Sequence, residues 1–144
     1  MRVRSIRAWT PALFVLALGC NGGTIGLPNA ADVNRIEVHA LDGHTMIQHH
    51  EVHEQSSIRP VVQFLMERNN GWGQPFGTSP APKCSFALYR DSELLLVVWM
   101  GAGWIGARKG EGVARDNRFR DTPEVDVDKL AGLIGLDPGR CSRW

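Results

Sequence analysis

Residues 93–100, with the sequence ELLLVVWM, determine the architecture, because one acidic residue is followed there by seven successive apolar residues. A continuous apolar run of this length is typical of a buried strand. Strands whose two faces are both covered show no alternation of polar and apolar side chains. The stretch therefore predicts a central strand that is covered on both faces, with Trp99 in the core.

The sequence on either side of this strand predicts antiparallel neighbours. Residues 84–90 form a strand that Asp91-Ser92 joins to the central one. A further strand follows around residues 104–108, and a sixth is indicated around residues 113–119. Short turns between successive strands favour hairpins, so we expect these strands to lie side by side in chain order.

A second hairpin precedes these strands. Alternate residues of 33–41 are apolar, which is the period of a half-buried strand. Asp42-Gly43 is a strong hairpin signal. It leads into a returning strand at about residues 45–53, which alternates less cleanly.

Two amphipathic helices complete the pattern. Ser56-Ser57 predicts the cap of a helix whose apolar residues recur at helical spacing from Ile58 to Leu65. A closing helix begins near Glu124 and ends at Gly135. The order β-β-α-β-β-β-(β)-α predicts an α+β fold, an antiparallel sheet of five to six strands with both helices available for one face.

Gly101, Gly103 and Gly106 match the G-x-G-x-x-G pattern of dinucleotide-binding proteins. That site requires a helix to begin within the motif, so that its first turn meets the pyrophosphate. Residues 107–112 contain two more glycines and no helical stripe. The motif therefore predicts a bend or hairpin between strands, and no cofactor is expected.

The amino terminus has the layout of a secretory signal. Arginines at positions 2, 4 and 7 precede the apolar residues 12–18, and Gly19-Cys20 follows. The apolar run is shorter than the roughly 20 residues that a membrane-spanning helix needs. Because a cysteine follows the small residue, the segment resembles the lipobox of bacterial membrane lipoproteins. The resemblance covers residues 1–20 only.

This resemblance implies that residues 1–19 are a signal peptide and that Cys20 carries a diacylglyceryl group and commonly a third acyl chain. Two chains suffice for stable anchoring in a lipid bilayer, whereas one binds only marginally. Asn21, in place of an aspartate, favours the outer membrane over the inner one. The glycine-rich residues 20–31 predict a flexible tether, and residues 32–144 a single domain. An ordinary signal peptide cut elsewhere is the alternative.

The remaining cysteines agree with export. If Cys20 carries lipid, Cys84 and Cys141 are left, an even number in an oxidising compartment. A disulfide between them would tie the tail after the last helix to the start of a central strand. Two buried free thiols are the alternative.

The histidines cluster in the first hairpin. They are His39, His44, His49, His50 and His53. Residues 50–53, HEVH, are one residue short of the H-E-x-x-H zinc motif, which also requires a helix. With Asp42-Gly43 as a two-residue turn, His39 faces Met46 and lies away from His49. The sequence therefore predicts a solvated, pH-responsive strand face and no metal site.

Charge and motifs limit the function. The chain has 16 Lys and Arg against 15 Asp and Glu, and three of the arginines lie in the leader. Such a near-neutral domain lacks the basic surface of nucleic-acid-binding proteins. No G-x-S-x-G, P-loop or C-x-x-C motif of an enzyme occurs in the sequence.

We therefore expect a membrane-anchored, non-catalytic binding module of the bacterial cell envelope. Its partners would be the lipid bilayer, through the acylated Cys20, and an envelope protein or glycan. The alternative is a metal- or pH-responsive periplasmic sensor that uses the hairpin from His39 to His53.

Overall fold

A computed structural model describes residues 22–74 and 81–143, so the predicted leader and Cys20 lie outside the described residues. Within them, six strands form one antiparallel sheet in the order β2-β1-β3-β4-β5-β6. The strands are β1 Arg35–Asp42, β2 Thr45–Val52, β3 Cys84–Arg90, β4 Glu93–Gly101, β5 Trp104–Lys109 and β6 Arg118–Asp121. The helices are α1 Gln55–Glu67 and α2 Glu124–Leu133. The predicted α+β fold and element order are confirmed.

The core lies between the two helices and one face of the sheet. In β4, Leu96, Val98 and Met100 are fully buried, whereas Val97 and Trp99 between them keep part of their surface exposed. The expectation that this strand is covered on both faces, with Trp99 in the core, is therefore wrong. The physical reason is that both helices provide core residues for the same face, so the apolar side chains of the other face remain half-exposed.

Helix α1 begins one residue before the serines that predicted its cap. Its first residue is Gln55, and Glu54 precedes it in extended conformation. The Gln55 side-chain amide donates a hydrogen bond to the carbonyl of Val33, which ties the helix start to the segment that enters β1. Of the helices in residues 22–74 and 81–143, none combines the length and the apolar character that crossing a membrane requires.

The predicted disulfide is present. Cys84 at the start of β3 is bonded to Cys141, which follows α2, and their Cα atoms are 5.5 Å apart. Both residues are fully buried. Their separation of 57 residues means that the bond stabilises the fold by about 4 kcal/mol on the chain-entropy model.

The segment from residue 22 to residue 31 contacts the domain, which differs from the flexible tether predicted for it. Gly23 pairs with Trp72 in an isolated β-bridge. The side-chain amide of Asn69 makes two hydrogen bonds of 2.9 Å to the backbone of Ile25. It accepts one from the N–H and donates the other to the carbonyl. Ile25 and Leu27 also pack against the core. Paired backbone groups and apolar contacts together hold this segment to the domain.

The glycine-rich motif forms the turn between β4 and β5, as predicted. Gly101 pairs with Trp104, and the turn between them contains Gly103. Gly103 has a φ of +77°, which a glycine adopts without steric cost. The motif is thus a β-hairpin in which no helix begins.

Candidate functional site

The sheet face opposite the helices is the candidate site, and we call it the open face. Side chains alternate between the two faces of a strand, so residues paired across strands share a face. The strand registers place the following side chains on it: Arg35, Glu37, His39, Met46, His49, Glu51, Tyr89, Val97, Trp99, Trp104, Arg108 and Phe119. These side chains are half-buried or exposed.

Two aromatic rings lie together on the β5–β6 part of the open face. The ring centroids of Trp104 and Phe119 are 5.6 Å apart, with an interplanar angle of 46°. Gly101 and Gly106 make room for them, since a Cβ on Gly101 would overlap the Trp104 indole and one on Gly106 would lie 2.9 Å from Phe119 Cε1. The absence of side chains at these two glycines therefore leaves the space that the aromatic rings occupy.

Two arginines lie over aromatic rings of the same face. The guanidinium carbon of Arg108 is 5.4 Å from the ring centroid of Trp99, and that of Arg35 is 4.2 Å from the ring centroid of Tyr89. Both distances fall within the range of cation–π attraction. Burial, and then the nearby carboxylate of Glu37, raise the pKa of Tyr89, so its phenol is neutral at pH 7.

Arg108 also contributes a buried hydrogen-bond donor to this part of the sheet. In the described part of the chain, the buried Nε of Arg108 has no hydrogen-bond acceptor. A buried donor without an acceptor costs free energy, and such groups in native proteins call for an explanation. Because this nitrogen is buried, an external ligand does not reach it unless the Arg108 side chain moves.

The β1–β2 part of the open face carries two histidines in contact. His39 pairs with His49 across the strands, and their rings are stacked with centroids 4.8 Å apart. The expectation that His39 lies away from His49 is therefore wrong, and the residue paired with His39 is His49 instead of Met46.

The difference arises from the turn and from an extra residue in β2. Asp42 pairs with Thr45, so the turn is one residue later than expected. The register then shifts at Ala40, leaving Ile47 without a partner of its own in β1. Such a β-bulge re-aims the side chains that follow it. It brings His49 to the side on which His39 lies.

A group of possible metal ligands surrounds this pair. Glu37, His39 and His49 each offer a donor atom, and the three atoms lie within 4.8 Å of one another. The Sδ atom of Met46 is 3.5 Å from Nδ1 of His39. Burial, and then the positive charge that His49 can carry, lower the pKa of His39, so its imidazole is neutral at pH 7 and has a free electron pair.

The other histidines are separated from this pair. His50 lies on the helix side, where its Nε2 is 2.8 Å from the carbonyl oxygen of Ile134. His53 lies 2.9 Å from Glu51 through Nε2, and this hydrogen bond lowers the pKa of the Glu51 carboxyl. His44 is exposed in the turn. The five histidines therefore do not form one site.

Sequence reasoning missed the aromatic part of the open face. Its mark in the structure is a period of two in burial, since Val97 and Trp99 alternate with buried residues of β4 and Arg108 follows the buried Ala107 in β5. Aligning these alternations across the β4–β5 hairpin places the three side chains on one face. The continuous apolar run of β4 hid this period.

The cysteines have separate places in this account. Cys84 and Cys141 are bonded to each other in the core, away from the open face. Cys20, the predicted lipid attachment residue, lies outside the described residues.

Comparisons of the chain with protein-family models, with curated proteins and with solved structures found no match.

Proposed function

We propose that this chain is a lipid-anchored protein of the bacterial envelope whose domain binds another protein through the open face. The lipobox-like residues 1–20 support the anchor. A disulfide between Cys84 and Cys141 supports an oxidising compartment, because such bonds are rare in reducing ones. The composition of the open face supports binding.

The observation that carries the binding proposal is the pairing of arginines with half-exposed aromatic rings. Trp, Tyr and Arg are the residues that dominate the binding energy of protein interfaces. Arg35 and Arg108 already lie over Tyr89 and Trp99, so ordering them on binding costs little conformational entropy. Val97 is paired with Arg108 across the β4–β5 hairpin and adds apolar area at the centre of the face.

The path of the amino-terminal segment supports an orientation on the membrane. Gly23 pairs with Trp72, and Gly73 pairs with Phe119 of the edge strand β6. The three residues from Cys20 to Gly23 reach at most about 10 Å, so a lipid on Cys20 would hold the β6 edge near the bilayer. At a spacing of about 4.8 Å, the five steps from β6 to β2 place the histidine hairpin roughly 24 Å from that edge.

Lipid attachment is tested by metabolic labelling. Cells that express the full chain or its Cys20→Ala variant are grown with labelled palmitate, and their membranes are separated from soluble protein. We expect label and membrane attachment in the wild type and neither in the variant. An ordinary signal peptide would leave both proteins unlabelled, and that result would contradict the anchor.

Binding through the open face is tested by photo-crosslinking in the native envelope. A photoreactive amino acid replaces Val97 on the open face or, as the matched control, the exposed Lys129 on α2. We expect a protein adduct from position 97, a much weaker one from position 129, and loss of the first when Trp99→Ala is added. Equal adducts from both positions would contradict the proposal, and an adduct removed by glycan-degrading enzymes would identify a glycan instead.

A further inference from the structure

We propose that Glu37, His39 and His49 form a copper-binding site on the β1–β2 hairpin, with the thioether of Met46 as a fourth ligand. This inference goes beyond the proposed binding function and requires only the folded domain. It rests on the stacked pair His39 and His49, on the register of the hairpin and on the kinds of donor atom that meet there.

The donor atoms are close enough for one ion. Ligand atoms bound at about 2.0–2.3 Å in a tetrahedral site lie roughly 3.5 Å from one another. Nδ1 of His39 and Sδ of Met46 are already 3.5 Å apart. The donors of Glu37, His39 and His49 lie within 4.8 Å of one another, and rotation of the exposed His49 side chain would close that gap. Binding one ion would therefore require side-chain rotation that brings the donors of Glu37, His39 and His49 from within 4.8 Å to about 3.5 Å of one another.

The β-bulge is what assembles the site. In a regular strand, residues 46 and 49 would point to opposite faces, because their separation is an odd number. The extra residue Ile47 places Met46 opposite Leu41 and His49 opposite His39, which puts both side chains on the open face. Bulges occur frequently beside functional sites, where they re-aim a side chain.

The set of donors favours copper. Imidazole binds zinc, copper and nickel, a thioether adds a preference for Cu(I), and Cu(II) binds most tightly among the divalent ions of the first transition row. Calcium and magnesium require oxygen ligands and are not suited by two imidazoles and a thioether. Met46 is 54% exposed, so its thioether is accessible to an ion from solution.

Arg35 would orient the carboxylate ligand. Its Nη1 atom lies 2.7 Å from Oε1 of Glu37 and 3.4 Å from Oε1 of Glu51. Carboxylates that bind metals are themselves commonly hydrogen-bonded, which holds them in the orientation that the ion requires. Arg35 would hold one oxygen of Glu37 while the ion binds the other.

The test titrates the untagged full chain, purified in detergent with its disulfide intact, with Cu(II) against a competing chelator. We expect one ion per chain and an electron paramagnetic resonance spectrum with two nitrogen ligands. His39→Ala and His49→Ala should each lower the affinity by at least about tenfold and remove one nitrogen. The matched control His53→Ala, on the same hairpin, should change neither.

A further variant tests whether the thioether of Met46 is a ligand. Met46→Leu should lower the affinity for Cu(I) several-fold and leave that for Cu(II) nearly unchanged. Circular dichroism of each variant establishes that the domain remains folded. The proposal is overturned if the full chain binds no copper, if zinc displaces copper at equal concentration, or if His53→Ala weakens binding as much as His39→Ala.

Discussion

Arg68, which follows the last residue of α1, donates a hydrogen bond of 2.9 Å to Asp126 in the first turn of α2. The Arg68 guanidinium also lies 3.9 Å from the ring centroid of Phe64. The two helices that cover the sheet are therefore joined by an ion pair whose side chains are 22% and 24% exposed. Partial burial makes this pair stronger than an exposed one, which contributes little.

Removing the charge of Asp126 should destabilise the domain in a pH-dependent way. The hydrogen bond from Arg68 holds the pKa of Asp126 below its ordinary value, so its stabilisation is complete above about pH 5 and is lost as the pH falls through the lowered pKa. We expect Asp126→Asn to lower the free energy of unfolding by about 1 kcal/mol at pH 7 and by less near pH 2.

Urea denaturation at both pH values measures this difference. Glu124→Gln is the matched control, because Glu124 lies in the same helical turn and is exposed. A loss that is equal at both pH values, or one that the control reproduces, would contradict the role given to the pair.

Gly106→Ala should disturb the aromatic part of the open face. The added Cβ would lie 2.9 Å from Phe119 Cε1 and 3.3 Å from Trp104 Cζ3, so one ring must move. Overpacking of this kind costs about 1–3 kcal/mol. Thermal denaturation should show the loss, and the total tryptophan fluorescence should change because the contact between Trp104 and Phe119 is disturbed.

Gly132→Ala in α2 is the control for that substitution. Nothing lies within 4 Å of a Cβ at Gly132, and alanine favours a helix over glycine by about 1 kcal/mol. We expect this variant to be as stable as the wild type or more stable. If Gly106→Ala were equally harmless, the Phe119 ring would not pack against Gly106 as closely as the structure indicates.

Asn69→Ala should release the amino-terminal segment from the domain. The Asn69 side chain accepts a hydrogen bond from the N–H of Ile25 and donates one to its carbonyl. Amide hydrogen exchange of residues 23–27 should become faster by at least about tenfold, since one hydrogen bond contributes about 1 kcal/mol and two are lost.

The neighbouring Asn70→Ala is the control for this variant, because Asn70 bonds through its backbone, its N–H donating to the carbonyl of Arg68 and its carbonyl accepting from Arg120, and alanine keeps both groups. Unchanged exchange in Asn69→Ala would show that the apolar contacts of Ile25 and Leu27 hold the segment without the hydrogen bonds.

The strands, helices and disulfide were predictable because their signals are local. Alternation from Ile36 to Ala40, helical spacing from Ile58 to Leu65, and an even number of cysteines after Cys20 each limit the structure without knowledge of the partners. Two boundaries differed: α1 begins at Gln55, whose side chain contacts Val33, and the strand expected around residues 113–119 is β6 at Arg118–Asp121, because residues 114–116 form a 3-10 turn.

The candidate site was less predictable because it depends on register and on long-range contacts. Nothing in the local sequence marks Ile47 as a bulged residue, although its insertion decides whether His39 meets His49. The run in β4 has the same sequence whether its second face is covered or open. Similarly, Ile25 gains its hydrogen bonds from Asn69, which is 44 residues away.

Hydroxyl-radical footprinting of the tryptophans tests most directly whether a partner covers the open face. In the purified protein, Trp99 and Trp104 should be oxidised while Trp72, which is 4% exposed, is protected. In the native envelope, Trp99 and Trp104 should be oxidised several-fold less, whereas Met66 on α1, which is 52% exposed, should react as before. Oxidation of Trp99 and Trp104 at the same rate in both preparations would contradict a partner on the open face.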